Sequence, residues 1–181
     1  MEEAFALHNS SLLQAFEAYR ILVSTKYVTA PSLFKRDDWR QMEMAEVRAE
    51  MLAKHAEHLA KYEWNDTEPM KVSVMLQGTT PEAARSIAQG GFGVARKEDQ
   101  GFYGKGIYTT SSMKYACRYA EIRAAVSKKP SLLLSAIIPG NPFPITQRQD
   151  GRSVEDGYQS HFTIGTETLV TFKIRYLLTI S

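Results

Sequence analysis

The chain has 181 residues, of which 44% are hydrophobic, 10% aromatic and 23% charged, an ordinary globular composition with apolar material for one sizeable core. Lys and Arg total 22 against 20 Asp and Glu, and a formal charge of +2 is too balanced to make nucleic acid or an anionic membrane the default partner. A single cysteine, Cys117, excludes an intramolecular disulfide and a Cys-rich zinc site. No run nears the roughly 20 apolar residues of a membrane span, and MEEAFALHNSS lacks the apolar core of a signal peptide. These features predict one domain over 1–181 in a reducing compartment, cytoplasmic or nuclear, with no membrane partner and a monomeric state. A secreted effector stays compatible with them.

Residues 1–64 read as a mainly helical segment. Leu12, Leu13, Phe16, Tyr19 and Leu22 recur at steps of three and four, which predicts a helix capped by Ser10 or Ser11 and ending near Ser24. After Pro31, Asp37 and Asp38 open a second long segment, with Met44, Val47, Met51, His55 and Leu59 as its inner stripe. His55 and His58 lack a supporting carboxylate motif, so they read as core filling and no metal site is expected.

Residues 65–181 change texture to mixed strand and helix. KVSVMLQ reads as a strand, and TTPEAARSIAQGG as a short helix with Pro81 in its first turn and Gly90-Gly91 at its end. SSMKYACRYAEIRAAV reads as another helix and PSLLLSAIIPG as a buried strand. Pro139, Pro142 and Pro144 mark a rigid exposed turn, and HFTI, TLVTF and IRYLLTI are three further short strands. The fold class is α+β.

The residues that could carry chemistry are concentrated between Gln77 and Tyr119. Gly78 and Thr79 sit at a strand end, where a backbone can approach a planar amide with no Cβ in the way. Gly101, Gly104 and Gly106 flank Phe102, Tyr103, Lys105 and Tyr108, giving tight bends beside flat aromatic faces suited to stacking on a ring. The spacing is wrong for a P-loop or a Rossmann phosphate turn. Arg96, Lys97 and Lys105 read either as pyrophosphate contacts or as solvated loop charges. Cys117 reads as a packed small residue, and His161 as a paired surface histidine.

The blocks QGTTPEAARSIAQGGFG, DQGFYGKGIYTTSSMKYACRYA, LLLSAIIPGNPFPIT, GYQSHFTI and LVTF follow one another as in a poly(ADP-ribose)-polymerase-type (diphtheria-toxin-like) ADP-ribosyltransferase domain. With the helix around HNSSLLQAFEAYR, the chain resembles that family over nearly its whole length. It is most similar to the stand-alone catalytic domains of protists. The resemblance implies a split β-sheet that grips NAD in a central cleft as co-substrate, with no metal. It also implies transfer of ADP-ribose to a protein or nucleic-acid acceptor that the sequence does not name. Tyr108 matches the family's nicotinamide-stacking tyrosine, Tyr119 a second stacking tyrosine, and Gly78 the backbone clamp for the carboxamide.

Three positions depart from the family's pattern. Gln77 stands at the histidine that orients the nicotinamide-side ribose; it keeps hydrogen-bonding capacity but carries no proton, and reads alternatively as a strand-end glutamine bonded to backbone. Ala116 stands at the serine that bonds the carboxamide. Thr168 falls on the glutamate that favours the developing ribosyl cation, with Glu167 one residue early. A strand alternates faces, so Glu167 and Thr168 do not both enter the cleft without a bulge at Gly165-Thr166; Val170 and Phe172 packing inward would favour Thr168. Loss of such an anion removes about 3–4 kcal/mol of transition-state stabilisation. The expectation is single rather than polymeric ADP-ribose transfer, and the alternative is a silent module that binds a nucleotide or a protein in the same cleft.

Overall fold

Asn9 begins the first element. Its side-chain oxygen accepts from the Leu12 N–H at 3.1 Å and caps α1, Ser10–Thr29. The computed structural model describes residues 8–34, 37–92, 106–127, 129–147, 153–164 and 177–179. Among them the architecture is mixed α+β, with α2 (Ala45–Leu59), α3 (Pro81–Gly90) and α4 (Met113–Ser127) following α1. The strands are β1 (Ser73–Thr79), β2 (Ser131–Ile137), β3 (Pro142–Pro144), β4 (Ser160–Phe162) and β5 (Leu177–Thr179). No helix among the described residues is long and apolar enough to cross a membrane.

Two sheets form. In the first, the order is β1-β2-β5 and all pairs are antiparallel, with Ser73 opposite Ile137, Thr79 opposite Ser131, and Ile137 opposite Leu177. In the second, β3 and β4 run parallel, with Phe143 opposite His161. The cores cross the helical and mixed halves of the chain. Phe16 and Val23 of α1 pack with Phe34, Met70, Val72, Ala136 and Ile138. Met51 of α2 packs with Met75, Ile137 and Phe162, and Trp39 packs with Phe143, Ile145 and Tyr158.

Several expectations are corrected. The cap of α1 is Asn9, not Ser10 or Ser11, and the helix runs to Thr29 rather than Ser24. Tyr27 extends the inner stripe by packing edge-on against Phe34 at 5.3 Å, so the helix continues until the approach to Pro31. The inner stripe is Leu12, Phe16, Tyr19, Val23 and Tyr27, whereas Leu13 and Leu22 face solvent. In α2 the expected Met44 and Val47 are exposed and Arg48 is buried. Met44 adopts φ 61 ahead of the helix, and the helix phase turns Arg48 inward. There its guanidinium donates to the Glu43 and Pro144 carbonyls and lies 5.3 Å from the Phe143 ring, which offsets part of the cost of burying the cation. β2 is fully buried only toward its end: Leu132 and Leu134 are exposed. The proline segment is not an exposed turn, since Pro139 and Pro144 are fully buried and Pro142–Pro144 is a strand. The turn itself is made by Gly140 at φ +65. His161 is a fully buried residue, not a surface one. TLVTF lies outside the described residues.

The α3 boundaries match the reading. Thr80 caps it through the Ala83 N–H at 3.3 Å, Pro81 takes the first turn, and Gly91 closes it at φ +77. Asn9 joins this helix to α1, because its amide also donates to the Ala88 and Gln89 carbonyls at 3.1 and 2.9 Å. Asn65 does similar work between α2 and β1: its amide donates to the Leu59 and Val72 carbonyls, each at 2.9 Å, and its oxygen accepts from Val72 N–H at 2.8 Å.

His55 lies buried against the Phe162 ring at 4.9 Å, and burial, with His58 nearby, lowers its pKa to about 3. His58 is shifted the same way by burial and by Lys61. The unfolded chain protonates His55 near pH 6.5 and the folded chain near 3, so the unfolded state binds more protons between those values. The neutral ring's contribution is therefore fully present above about pH 6.5 and is lost as pH falls, by about 1.4 kcal/mol per unit. Urea midpoints measured from pH 7 to pH 4 should fall in this sense, and His55→Gln, less stable at pH 7, should show a shallower slope.

Candidate functional site

The outer edge of β1, away from β2, carries a single bridge among the described residues. Leu76 and Thr110 exchange both backbone hydrogen bonds, each 2.8 Å long, in antiparallel register. Continuing that register would set Gly78 opposite Tyr108, yet no bridge joins them. Carbonyls and amides alternate edges along a strand, so Gly78, two residues beyond Leu76, turns its N–H and C=O toward the same outer edge. The result is a donor and an acceptor side by side on a strand that has just lost its neighbour.

On the other side of the bridge, a turn after Thr110 starts α4. Ser112 N–H donates to the Thr110 hydroxyl at 3.0 Å, and the Ser112 hydroxyl accepts from Tyr115 N–H at 3.3 Å as the helix cap. The helix then lies directly on β1. A Cβ built on Gly78 would stand 2.5 Å from the Ala120 nitrogen, closer still to the Ala116 carbonyl oxygen, and 3.1 Å from the Tyr119 carbonyl carbon. Ala116, Ala120 and Ala124, four residues apart, are the buried face. Gly78 thus has a different steric role from the expected one: its missing Cβ makes room for the α4 backbone, while the polar groups aimed sideways stay available.

Tyr119 projects from α4 with 41% of its surface exposed, and its ring sits 4.9 Å from that of Tyr115. Tyr108 is half-buried. Gln77 and Thr79 point to the face of β1 opposite α4, the face that also carries Met75. The Gln77 Oε1 is buried and accepts no hydrogen bond. The strand ends at Thr79, opposite Ser131. Tyr103, Lys105, Glu167 and Thr168 lie outside the described residues, as do Arg96, Lys97, Val170 and Phe172. The structure therefore brings Gln77, Gly78, Thr79, Tyr108 and Tyr119 to one end of β1.

The alanine repeat of α4 was visible in MKYACRYAEIRAAV but carries no polar atom, which is why a search for chemistry passes over it. Cys117 on the same helix is half-buried. Elsewhere, His161 Nε2 pairs with the Glu155 carboxylate at 2.5 Å between the β3 and β4 side chains. His58 Nε2 meets the Ser73 hydroxyl at 2.8 Å. Ser73 is fully buried, so that pair is structural rather than nucleophilic. No group of three or more His, Cys, Asp or Glu among the described residues is arranged to hold a metal ion.

Comparison of the chain with models of known families and with curated proteins finds no match.

Gly78→Ala tests the close approach. The new methyl meets helix backbone, which cannot swing aside as a side chain can, so α4 must lift from β1. A loss of about 3 kcal/mol in urea unfolding is expected, whereas the same substitution at Gly90, where a Cβ would meet nothing within 4 Å, should leave stability nearly unchanged.

Proposed function

We propose that the chain is an ADP-ribosyltransferase-type domain that binds NAD at the outer edge of β1 and transfers single ADP-ribose units to an acceptor, releasing nicotinamide. The observation that carries this reading is the interrupted pairing at Gly78. A primary carboxamide presents one acceptor oxygen and donor N–H groups in one plane. Gly78 offers the complement: its N–H donates to the carboxamide oxygen and its C=O accepts from the carboxamide nitrogen. A split sheet, a helix capped immediately after the GKGIY block, and two tyrosines at the same strand end agree with the resemblance in the sequence.

NAD fits the residues present on a second count, the buried and unpartnered Gln77 Oε1 beside Gly78. That oxygen accepts a hydrogen bond from a ribose hydroxyl, which orients the sugar without supplying or removing a proton. Tyr108 and Tyr119 offer flat faces to the nicotinamide ring, and the apolar Ala116 leaves the carboxamide to Gly78 alone. NAD itself supplies a strained positive charge on the pyridinium, which makes nicotinamide the leaving group. The chain's described residues bind and orient; the polymerases' second use of their glutamate, activating an acceptor hydroxyl, has no counterpart at Thr168.

Nicotinamide binding and release test the proposal directly. Purified protein should bind nicotinamide in calorimetry, release it slowly from NAD, and label an acceptor with single units. Tyr108→Ala should stay folded and bind nicotinamide about fivefold more weakly, the equivalent of about 1 kcal/mol of ring stacking. Equal binding by a folded Tyr108→Ala protein would show the site to be elsewhere. Binding without nicotinamide release would select the silent nucleotide-binding module instead.

On a labelling gel no long ADP-ribose polymer should form, because neither Gln77 nor Thr168 carries the charge that elongation uses. A polymer ladder from the purified protein would overturn the assignment of single-unit transfer.

A further inference from the structure

The side chains of α4 fall into four ridges of residues spaced four apart. Ala116, Ala120 and Ala124 form the ridge buried against β1. The ridge on the opposite side is Lys114, Arg118 and Ile122, all exposed. Beside it run Tyr115, Tyr119 and Arg123, with the two tyrosine rings 4.9 Å apart. This one helix thus carries three exposed cations against a single anion, Glu121, although the chain as a whole is nearly balanced. Arg118 and Arg123 enter no hydrogen bond or ion pair among the described residues. Folding alone does not favour the arrangement. The first turn of α4 holds Lys114 and no acidic residue, although the N-terminal end of a helix is itself partly positive. Lys114 and Arg118 also repel one another as an i, i+4 pair of like charge.

We propose that this outward face binds single-stranded nucleic acid, its cations tracking the phosphates while Tyr115 stacks on a base. The positive charge selects an anionic partner. Among anionic partners, the interleaved rings select one that offers flat faces of its own. A run of carboxylates has none, and a duplex keeps its bases stacked inside, whereas a single strand presents both phosphate and base. Successive members of a ridge stand about 6 Å apart along the helix, a spacing comparable with one nucleotide step of an extended strand. Ile122, on the same ridge as Arg118 and 59% exposed, adds apolar contact to a sugar or base. The surface stands on α4 alone. Its role as the place where an acceptor is recognised rests on the reading of the β1 edge. The backbone of Tyr119 lies directly over Gly78, so a strand on this face passes beside that edge.

Fluorescence anisotropy with a labelled, mixed-sequence single strand of about 12 nucleotides tests this, with no NAD present. Wild type should bind with a dissociation constant of about 10–100 μM at about 50 mM salt. Log affinity should fall with log salt at a slope of about −2, from about 0.7 counterion released for each of three cations. Arg118→Gln should weaken binding about eightfold at the lower salt and bring the slope to about −1.4. Its melting temperature should hold or rise, because the repulsion with Lys114 is relieved. Tyr115→Leu should weaken binding about tenfold without changing the slope, and Tyr115→Phe should restore it. Lys54→Gln removes an equal charge from α2, whose Met51 packs on the other face of β1, and should leave binding unchanged. An equal loss from Lys54→Gln would show net charge alone at work and refute the proposal. Equally tight binding of polyglutamate of the same charge would point to an acidic protein partner and refute it too, as would no binding of the strand at low salt. None of these results bears on the reading of the β1 edge, which nicotinamide binding tests separately.

Discussion

The contact between the α4 backbone and the β1 backbone at Gly78 is the constraint from which the rest of this region follows. A helix ordinarily stands off a sheet by the depth of two side chains. Here the sheet contributes none at Gly78 and the helix contributes only the methyls of Ala116 and Ala120. Because the helix lies so close, the turn from Thr110 to Ser112 leaves the sheet within two residues of the one bridge described on this edge, so Ser112 does not continue the pairing opposite Val74. On the other side of the bridge no pairing joins Gly78 and Tyr108, and the edge of β1 is open beside the point where the helix presses down.

The other half of the molecule is organised by buried polar groups that are satisfied in place. Asn65 fixes the entry of β1 against the end of α2 with three hydrogen bonds, and Arg48 ties the start of α2 to β3 through the Pro144 carbonyl. The Glu155 carboxylate holds His161 of β4. Burial lowers the Arg48 pKa while Glu155 opposes that shift, so the guanidinium keeps its charge among carbonyls and an aromatic face. These links make the two sheets one scaffold behind the open edge, because Met51 and Phe162 meet Met75 and Ile137 in the core between them.

Much of this was legible in the amino-acid sequence where a local rule acts alone. Thr80, Pro81 and Gly91 bound α3 because cap, first-turn proline and positive-φ glycine each impose their conformation within a few residues. What was not legible depends on partners distant in the chain. Asn9 outcompetes Ser10 and Ser11 as the cap because its amide also reaches the carboxyl end of α3. Arg48 lies outside the expected inner stripe of α2, and the Pro144 carbonyl that holds it is 96 residues away in the chain. Pro139 and Pro144 read as an exposed turn because proline is common there, yet they fill core beside a parallel strand pair. Tyr108, Tyr119 and Gly78 were singled out by motif, but what the structure shows at Gly78 is a helix that packs from 38 to 42 residues downstream.

The inner stripe of α1 has a consequence for how the chain is made. Phe16 and Val23 bury themselves against Ala136 and Ile138, more than a hundred residues later, and the cost of closing so long a loop grows only slowly with its length but must be met before the contact gives anything back. A ribosome delivers α1 before Phe34, Met70 and Val72, and Ala136 and Ile138 much later. Until β2 emerges, the ribbon of Leu12, Phe16, Tyr19, Val23 and Tyr27 is only partly covered. That nascent interval, rather than the finished molecule, is when this chain has the most surface to offer a chaperone.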